Sequence, residues 1–272
     1  MPELKGKTAL ITGASTLNGI GRACAKRLAK DGANVVVTDM PGQNEDGTDR
    51  IRLLEDLAAE ITSIGCNALP LPLDVTDTQQ IAKATATTIS SFGSIDILVN
   101  NAGTLAGTGP FLNTTADQWD QSFRINVLGP MLLCQAAIPS MQKNGWGRII
   151  NIGSISSLAA REGFGAYTAS KHGLLGMTKT LAAEFGKYGI LCNLVAPGYI
   201  ATDMHTAANE RIASARGVSV DQIKAERYEA VALRDAGQPE DVAKTVAYLA
   251  GYGSAYITGI ALPVTGGLPM GI

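Results

Sequence analysis

Short β-branched runs alternate with longer amphipathic stretches along the whole chain, and this rhythm restricts the fold more than any other feature. Thr8–Thr12, Asn34–Thr38, Ala68–Leu73, Ile95–Val99, Arg148–Ile152, Leu191–Val195 and Ile260–Val264 read as strands. Gly19–Lys30, Ile51–Ile64, Thr78–Phe92, Ala116–Lys143, Tyr167–Phe185 and Pro239–Ala250 read as helices, the fourth as one long helix capped by Thr114 or Thr115. Met40–Asp49 is polar and glycine-rich and reads as a loop. No linker or change of composition divides the 272 residues. Right-handed βαβ crossovers then predict an α/β fold of Rossmann type, a doubly wound parallel sheet of about seven strands with helices on both faces. One segment breaks the rhythm. Asp203–Arg234 is charged and helical, and an insertion at that point lies outside the carboxyl ends of the strands, where ligands bind in such sheets. It is expected to act as a substrate lid.

Composition narrows the partners. The apolar fraction of 46% suffices for a large core, and a net charge of −2 offers no basic surplus for a nucleic acid backbone. Met1–Lys7 lacks the apolar stretch of a signal peptide, and no apolar run is long enough to cross a membrane. A cytoplasmic protein is therefore expected, with a small molecule as its substrate and neither nucleic acid nor membrane as partner. Cys24, Cys66, Cys134 and Cys192 lie far apart without a CxxC pair or a Cys/His cluster, which points to reduced, mostly buried thiols and no metal site.

The first strand runs into Thr12-Gly13-Ala14-Ser15-Thr16-Leu17-Asn18-Gly19-Ile20-Gly21. Glycines let such a turn approach a pyrophosphate, and the following helix offers its N-terminus to the anion. Taken alone, the turn also suits a plain strand–helix joint. Asp39 ends the second strand eighteen residues after Gly21, where a carboxylate can accept both hydroxyls of an adenosine ribose and repel a 2′-phosphate. With no Arg or Lys in Thr16–Asn18 or Met40–Gln43, the expected cofactor is NAD.

These and further motifs, in this order, resemble the short-chain dehydrogenase/reductase family over nearly the whole chain. Thr12-Gly13 to Gly19-Ile20-Gly21 is similar to its TGxxxGxG turn, with two extra residues inside. Asn100-Asn101-Ala102-Gly103 matches NNAG, Tyr167-Thr168-Ala169-Ser170-Lys171 matches YxxxK, and Val264-Thr265-Gly266-Gly267 resembles VDGG with Thr for Asp. The resemblance implies that Asp74-Val75 contacts adenine, that Pro197–Thr202 holds the nicotinamide, and that Asn126, Ser154, Tyr167 and Lys171 are catalytic. The expected cofactor contacts are Gly13, Ser15, Asn18, Gly19, Ile20, Asp39, Met40, Asp74, Val75, Asn101, Ala102, Gly103, Tyr167, Lys171, Pro197, Gly198, Ile200 and Thr202. It also implies a homotetramer, with which the apolar Val127–Ile138 face and the tail Gly266–Ile272 are consistent, as an apolar face buried within the chain would equally be.

The chemistry follows from the residues. A free tyrosine, with a pKa of about 10, is a poor base at neutral pH, and a lysine ammonium one helical turn away would stabilise its phenolate. Tyr167 is then the acid/base and Lys171 its tuner; by resemblance Lys171 also binds the nicotinamide ribose, and Asn126 fixes a water beside it. Ser154 holds the substrate oxygen. The activity expected is interconversion of a secondary alcohol and a ketone with NAD(H), on a polar substrate such as a sugar, polyol or sugar acid. Arg161 and Glu162 at the rim, and Arg211, Arg216, Arg227 and Arg234 on the lid, motivate that choice, although charges on helices are usually solvated. A 3-oxoacyl-thioester reductase and a non-catalytic NAD-sensing protein are the competing readings. His172 and His205 read as surface or packing residues, and Ser156 and Ser157 as turn formers.

Overall fold

A computed structural model describes residues 3–44 and 47–268. Its strands are β1 (Thr8–Thr12), β2 (Asn34–Asp39), β3 (Ala68–Pro72), β4 (Ile97–Asn100), β5 (Gly147–Ile152), β6 (Ile190–Pro197) and β7 (Ala261–Val264). They form one parallel sheet in the order β3-β2-β1-β4-β5-β6-β7. The helices are α1 (Ile20–Lys30), α2 (Arg50–Ser63), α3 (Thr78–Phe92), α4 (Ala116–Phe123), α5 (Gly129–Asn144), α6 (Gly165–Phe185), α7 (Asp203–Arg216), α8 (Val220–Tyr228) and α9 (Pro239–Ala250). The doubly wound sheet is thus as expected. Strand order reverses between β1 and β4, and the crevice at that reversal opens at the carboxyl ends of both.

The period of two along each strand splits the core into two layers. Ala9 and Ile11 of β1 face Leu28, Leu54 and Val246 of α1, α2 and α9. Leu10, between them, faces the other way, with Ile81 of α3 and Leu133 and Met141 of α5. Both faces are covered, so the strands are apolar runs without polar alternation. Cys24, Cys134 and Cys192 are free and buried within these layers, and Cys66 is half-buried. Burial pushes the Cys24 and Cys134 thiols up to about 12, so neither is a thiolate nucleophile at neutral pH.

Three local differences from the sequence reading have physical causes. The stretch 116–143 is not one regular helix: a π-turn at Arg124–Leu128 separates α4 from α5, closed by the Gly129 N–H on the Arg124 carbonyl. Pro130 has no N–H to return to the Asn126 carbonyl, so the regular ladder cannot continue there. β4 starts at Ile97, because the Asp96 carboxylate takes the Thr8 N–H (2.9 Å) at the strand's entrance. The loop after β2 is also more ordered than expected. Gln43 bridges Asp49, and the Arg50 N–H reaches the Gly42 carbonyl at 2.9 Å, turning α2 back toward the end of β2. The last four residues of the proposed contact tail, 269–272, lie outside the described residues. Among the described residues no helix is long and apolar enough to cross a membrane.

The tightest packing lies at the glycine turn. A Cβ on Gly21 would stand 2.5 Å from both Asn101 Nδ2 and the Gly13 carbonyl. Gly21→Ala is therefore expected to destabilise the protein by about 1–3 kcal/mol through overpacking, seen as a lower urea midpoint at unchanged slope.

Candidate active site

A cleft of about 570 Å³ runs along the carboxyl ends of the strands, from Asp39 at one end to the α7–α8 hairpin at the other. At the first end, β1 passes through Gly13, at φ 67°, into the turn before α1. Asn101 fixes that turn: its Nδ2 donates to the Thr12 and Gly13 carbonyls, both at 2.8 Å. No side chain caps α1 and its first turn holds no acid, whereas Asp49 and Asp77 cap α2 and α3. The exposed N–H groups of an uncapped first turn suit an anion.

Asp39 Oδ2 accepts from the Ser15 N–H (3.1 Å) and hydroxyl (2.8 Å), and Oδ1 accepts from the Met40 N–H (2.9 Å). The carboxylate is held at the cleft wall. Gly13, Ser15, Gly19, Ile20, Met40, Asp74 and Val75 line the same end. Asn18 does not: its side chain and N–H both donate to the Asp203 carboxylate at the start of α7, away from the cleft lining. The two extra residues of this turn let Asn18 reach that far. Arg50, unnoticed in the sequence, lines this end, its Nε on Asn44 Oδ1 at 2.9 Å. The folded-back loop brings it there from beyond Met40–Gln43.

In the middle, Asn101, Ala102 and Gly103 from β4, Ser154 after β5, Tyr167 and Lys171 on α6, and Pro197, Gly198, Ile200 and Thr202 after β6 come together on the wall. Thr202 also caps α7 through its hydroxyl. Ser154 hydrogen-bonds to Tyr167. Lys171 Nζ donates to the Ile152 carbonyl at 2.8 Å and lies 5.7 Å from the Tyr167 ring centroid. Burial raises the Tyr167 phenol above its ordinary value, against the lowering by its Ser154 hydrogen bond. Burial lowers Lys171 to about 8. The expected lowering of Tyr167 by Lys171 is outweighed: Lys171 Nζ is turned to the Ile152 carbonyl, and burial of the phenol dominates. Asn126 sits behind this group and not on the cleft surface. Its Oδ1 accepts from the Thr104 N–H (2.9 Å), and its Nδ2 donates to the Thr104 carbonyl (3.1 Å) and to Ser170 Oγ (3.0 Å).

At the far end, α7 and α8 present His205, Met204, Ala208 and Arg227 to the cleft, opposite Arg161 and Phe164. His205 is more than a packing residue: its Nε2 lies 2.9 Å from the Tyr228 hydroxyl, and its ring packs against Tyr199 and Tyr228. His172 stays exposed on the Thr168 carbonyl, and Ser156 and Ser157 fold the turn after Ser154.

A Rossmann-type sheet whose crevice joins an uncapped helix N-terminus to a Ser/Tyr/Lys group defines a nucleotide-dependent oxidoreductase site. Comparison with known proteins gives the family. The family model described as enoyl-(acyl carrier protein) reductase matches residues 13–269. D-beta-hydroxybutyrate dehydrogenase of Rhizobium meliloti (strain 1021) is 38% identical over 96% of this chain and 98% of that protein. A 3-oxoacyl-[acyl-carrier-protein] reductase of Aquifex aeolicus (strain VF5) is 34% identical over 98% of each. Among solved structures, an actinorhodin polyketide ketoreductase variant with NADPH superposes with a TM-score of 0.87 at 33% identity, covering 96% of this chain and 97% of that one. The chain belongs to the short-chain dehydrogenase/reductase family, whose oxidoreductases interconvert alcohols and ketones.

Burial, followed by the charges of Arg227, Lys224 and Arg161, lowers His205 to about 4. The unfolded chain therefore takes up this proton first as pH falls. The contribution of His205 to stability is complete above about pH 6.5 and lost progressively toward pH 4. His205→Asn is expected to reduce the fall in Tm between pH 7 and pH 5, measured side by side with the parent chain.

Proposed function

We propose that this protein is an NAD-dependent dehydrogenase of a polar secondary alcohol, working as a single catalytic domain with residues 203–234 as its lid. The observation that carries this reading is the Tyr167 hydroxyl, bonded to Ser154, on the cleft whose other end presents Asp39. The donor set fits a dinucleotide: an uncapped helix start for the pyrophosphate, a fixed carboxylate for the ribose hydroxyls, and Asp74-Val75 beside the adenine. When bound, the nicotinamide accepts the hydride from the carbinol carbon, or returns it to the ketone.

The residues of the chain handle the proton. In oxidation, Tyr167 as phenolate takes the hydroxyl proton of the substrate while the C–H electron pair leaves as hydride; in reduction, its phenol returns that proton to the carbonyl oxygen. Ser154 bonds the substrate oxygen in both directions. Its own Oγ is fixed by the Ser156 N–H at 3.1 Å. Lys171 holds the ribose side of the nicotinamide. When bound, an oxidised nicotinamide would supply a positive charge that favours the phenolate. Asn126 acts as a positioning residue, holding the Thr104 backbone next to Gly103; a Cβ on Gly103 would stand 3.7 Å from Lys171 Nζ.

With the Tyr167 pKa raised, its phenol is protonated at neutral pH. The sign is then fixed: kcat/KM for oxidation rises with pH above 7, and kcat/KM for reduction falls once the phenol ionises. Tyr167→Phe is expected to keep nucleotide affinity within about threefold and to lose about 10²–10⁴-fold in turnover. Near-normal turnover in that variant would overturn the assignment.

Asp39 supports NAD over NADP. A second reading, a 3-oxoacyl or other ketone reductase using NADPH, is favoured by Arg50, a cation at the adenosine end that forms no ion pair among the described residues. Steady-state rates with both nucleotides decide between them. On the first reading, NAD has the higher kcat/KM, and Asp39→Ser shifts the ratio toward NADP by about tenfold or more; a preference for NADPH in the parent chain would favour the second. Turnover itself separates either from a non-catalytic sensor. We further propose a cytoplasmic homotetramer, which sedimentation velocity would test.

A further inference from the structure

We infer that the substrate carries an oxyanion group, and that Arg161 and Arg227 receive it at the lid end of the cleft. This deepens the dehydrogenase reading and rests on it in placing the substrate between Tyr167 and the lid.

The two guanidinium groups converge on one ring. Arg161 Nη1 donates to the Tyr199 hydroxyl at 3.3 Å, and the Arg227 guanidinium lies 4.6 Å from the Tyr199 ring centroid. Arg161 comes from the loop before α6 and Arg227 from the last turn of α8, so wall and lid each supply one cation. Neither forms an ion pair among the described residues. Arg227 bonds Asn209 Oδ1 through Nη1, while its Nε is buried without a hydrogen-bond partner. Another cation of the same hairpin shows the contrast: Arg216 is matched by both oxygens of Glu226, at 2.6 and 3.2 Å.

The carboxylates lining the cleft are Asp39 and Asp74, both at the adenosine end. The charges of Arg227, Lys224 and Arg161 also help to keep His205 neutral, so the field at this end is positive and His205 adds no charge of its own. A lid closing over a neutral polyol would desolvate two guanidinium groups with nothing to pair them, which is costly. A substrate oxyanion removes that cost, and the planar fork of arginine fits carboxylate and phosphate oxygens. The reacting carbinol then lies between the oxyanion and Ser154–Tyr167, as in a hydroxy acid or a phosphorylated alcohol.

The test is binding to the enzyme–NADH complex, read by NADH fluorescence and independent of turnover. The probes are gluconate and 3-hydroxybutyrate as carboxylates, glycerol 3-phosphate as phosphate, and methyl 3-hydroxybutyrate and glucitol as neutral counterparts. At least one anionic probe is expected to bind ten or more times tighter than its neutral counterpart, and the better class identifies the group. Arg161→Ala and Arg227→Gln should each remove about 10–100-fold of that preference and leave the neutral probes unchanged. Arg227→Lys should restore part of it, which separates charge from lid folding, and Arg216→Gln should have no effect. Equal binding of charged and neutral probes, or a preference insensitive to both arginines, would overturn the inference while alcohol oxidation stands. Arginine-dependent anion binding with no turnover of any alcohol or ketone would retain the inference and remove the dehydrogenase reading.

Discussion

The side-chain amide of Asn101 is the contact on which the site depends. Its two donated bonds to the Thr12 and Gly13 carbonyls, with the Asn101 and Ala102 N–H groups returning to Thr12 Oγ1 at 3.0 Å, join the ends of β1 and β4. These are the strands between which the sheet order reverses. Nothing in the sheet ladder holds this point, because both strands have ended and the chain leaves in opposite directions. Four hydrogen bonds from one residue pair replace the ladder. Gly21 must lack a side chain because the amide occupies its space.

The proton-handling group is held by a second set of buried polar contacts. Asn100 Nδ2 donates to Asn151 Oδ1 (2.8 Å), and Asn151 Nδ2 to Thr178 Oγ1 (2.9 Å), tying β4 through β5 to the middle of α6. Seven residues earlier on α6, Lys171 donates to the Ile152 carbonyl, and Ser170 receives the Asn126 amide. Helix α6 is therefore anchored polar group by polar group. These directional contacts leave few alternative arrangements, whereas apolar packing tolerates sliding, although Asn100 Oδ1 itself is buried without a partner. Tyr167 needs that restraint, since its hydroxyl must stay on Ser154 for proton transfer to have a defined geometry.

How much of this was legible in the sequence follows from the range of the interactions involved. The parallel sheet, the strand-end position of Ser154 and the shared helical face of Tyr167 and Lys171 could be read because periodicity and strand ends are local properties, whereas the strand order comes from the structure. The π-turn under Asn126 was missed: helical spacing continues through 116–143, and only Pro130 marks the interruption. Asn18 was misplaced because the two extra residues of its turn send it to Asp203, 185 positions away. Arg50 escaped attention because a bridge between Gln43 and Asp49 shortens the path from β2. His205 looked like an ordinary helix residue until Tyr199 and Tyr228 closed around it. The π-turn and the Gln43–Asp49 bridge are backbone irregularities that side-chain periodicity does not report, while the Asn18 and His205 contacts are long-range side-chain contacts without a local pattern. The protonation of Tyr167 belongs with them, since desolvation is set by everything packed around the ring.

The cleft is electrostatically asymmetric, and that asymmetry links cofactor to lid. Its adenosine end carries Asp39 and Asp74 beside Arg50; its other end carries Arg161 and Arg227 with no lining carboxylate, and a neutral His205 packs between Tyr199 and Tyr228. A dinucleotide laid along it would set its ribose hydroxyls against carboxylate and its nicotinamide toward the arginines. Asn18 connects the two ends, because the turn before α1 is bonded to Asp203 in the first turn of α7. A pyrophosphate at the start of α1 and the Asp203 carboxylate are like charges set on either side of one short turn. The α7–α8 hairpin is thus joined at one end to the glycine turn, through Asp203, and carries Arg227 toward the cleft at the other, so the same hairpin touches both ends of the site.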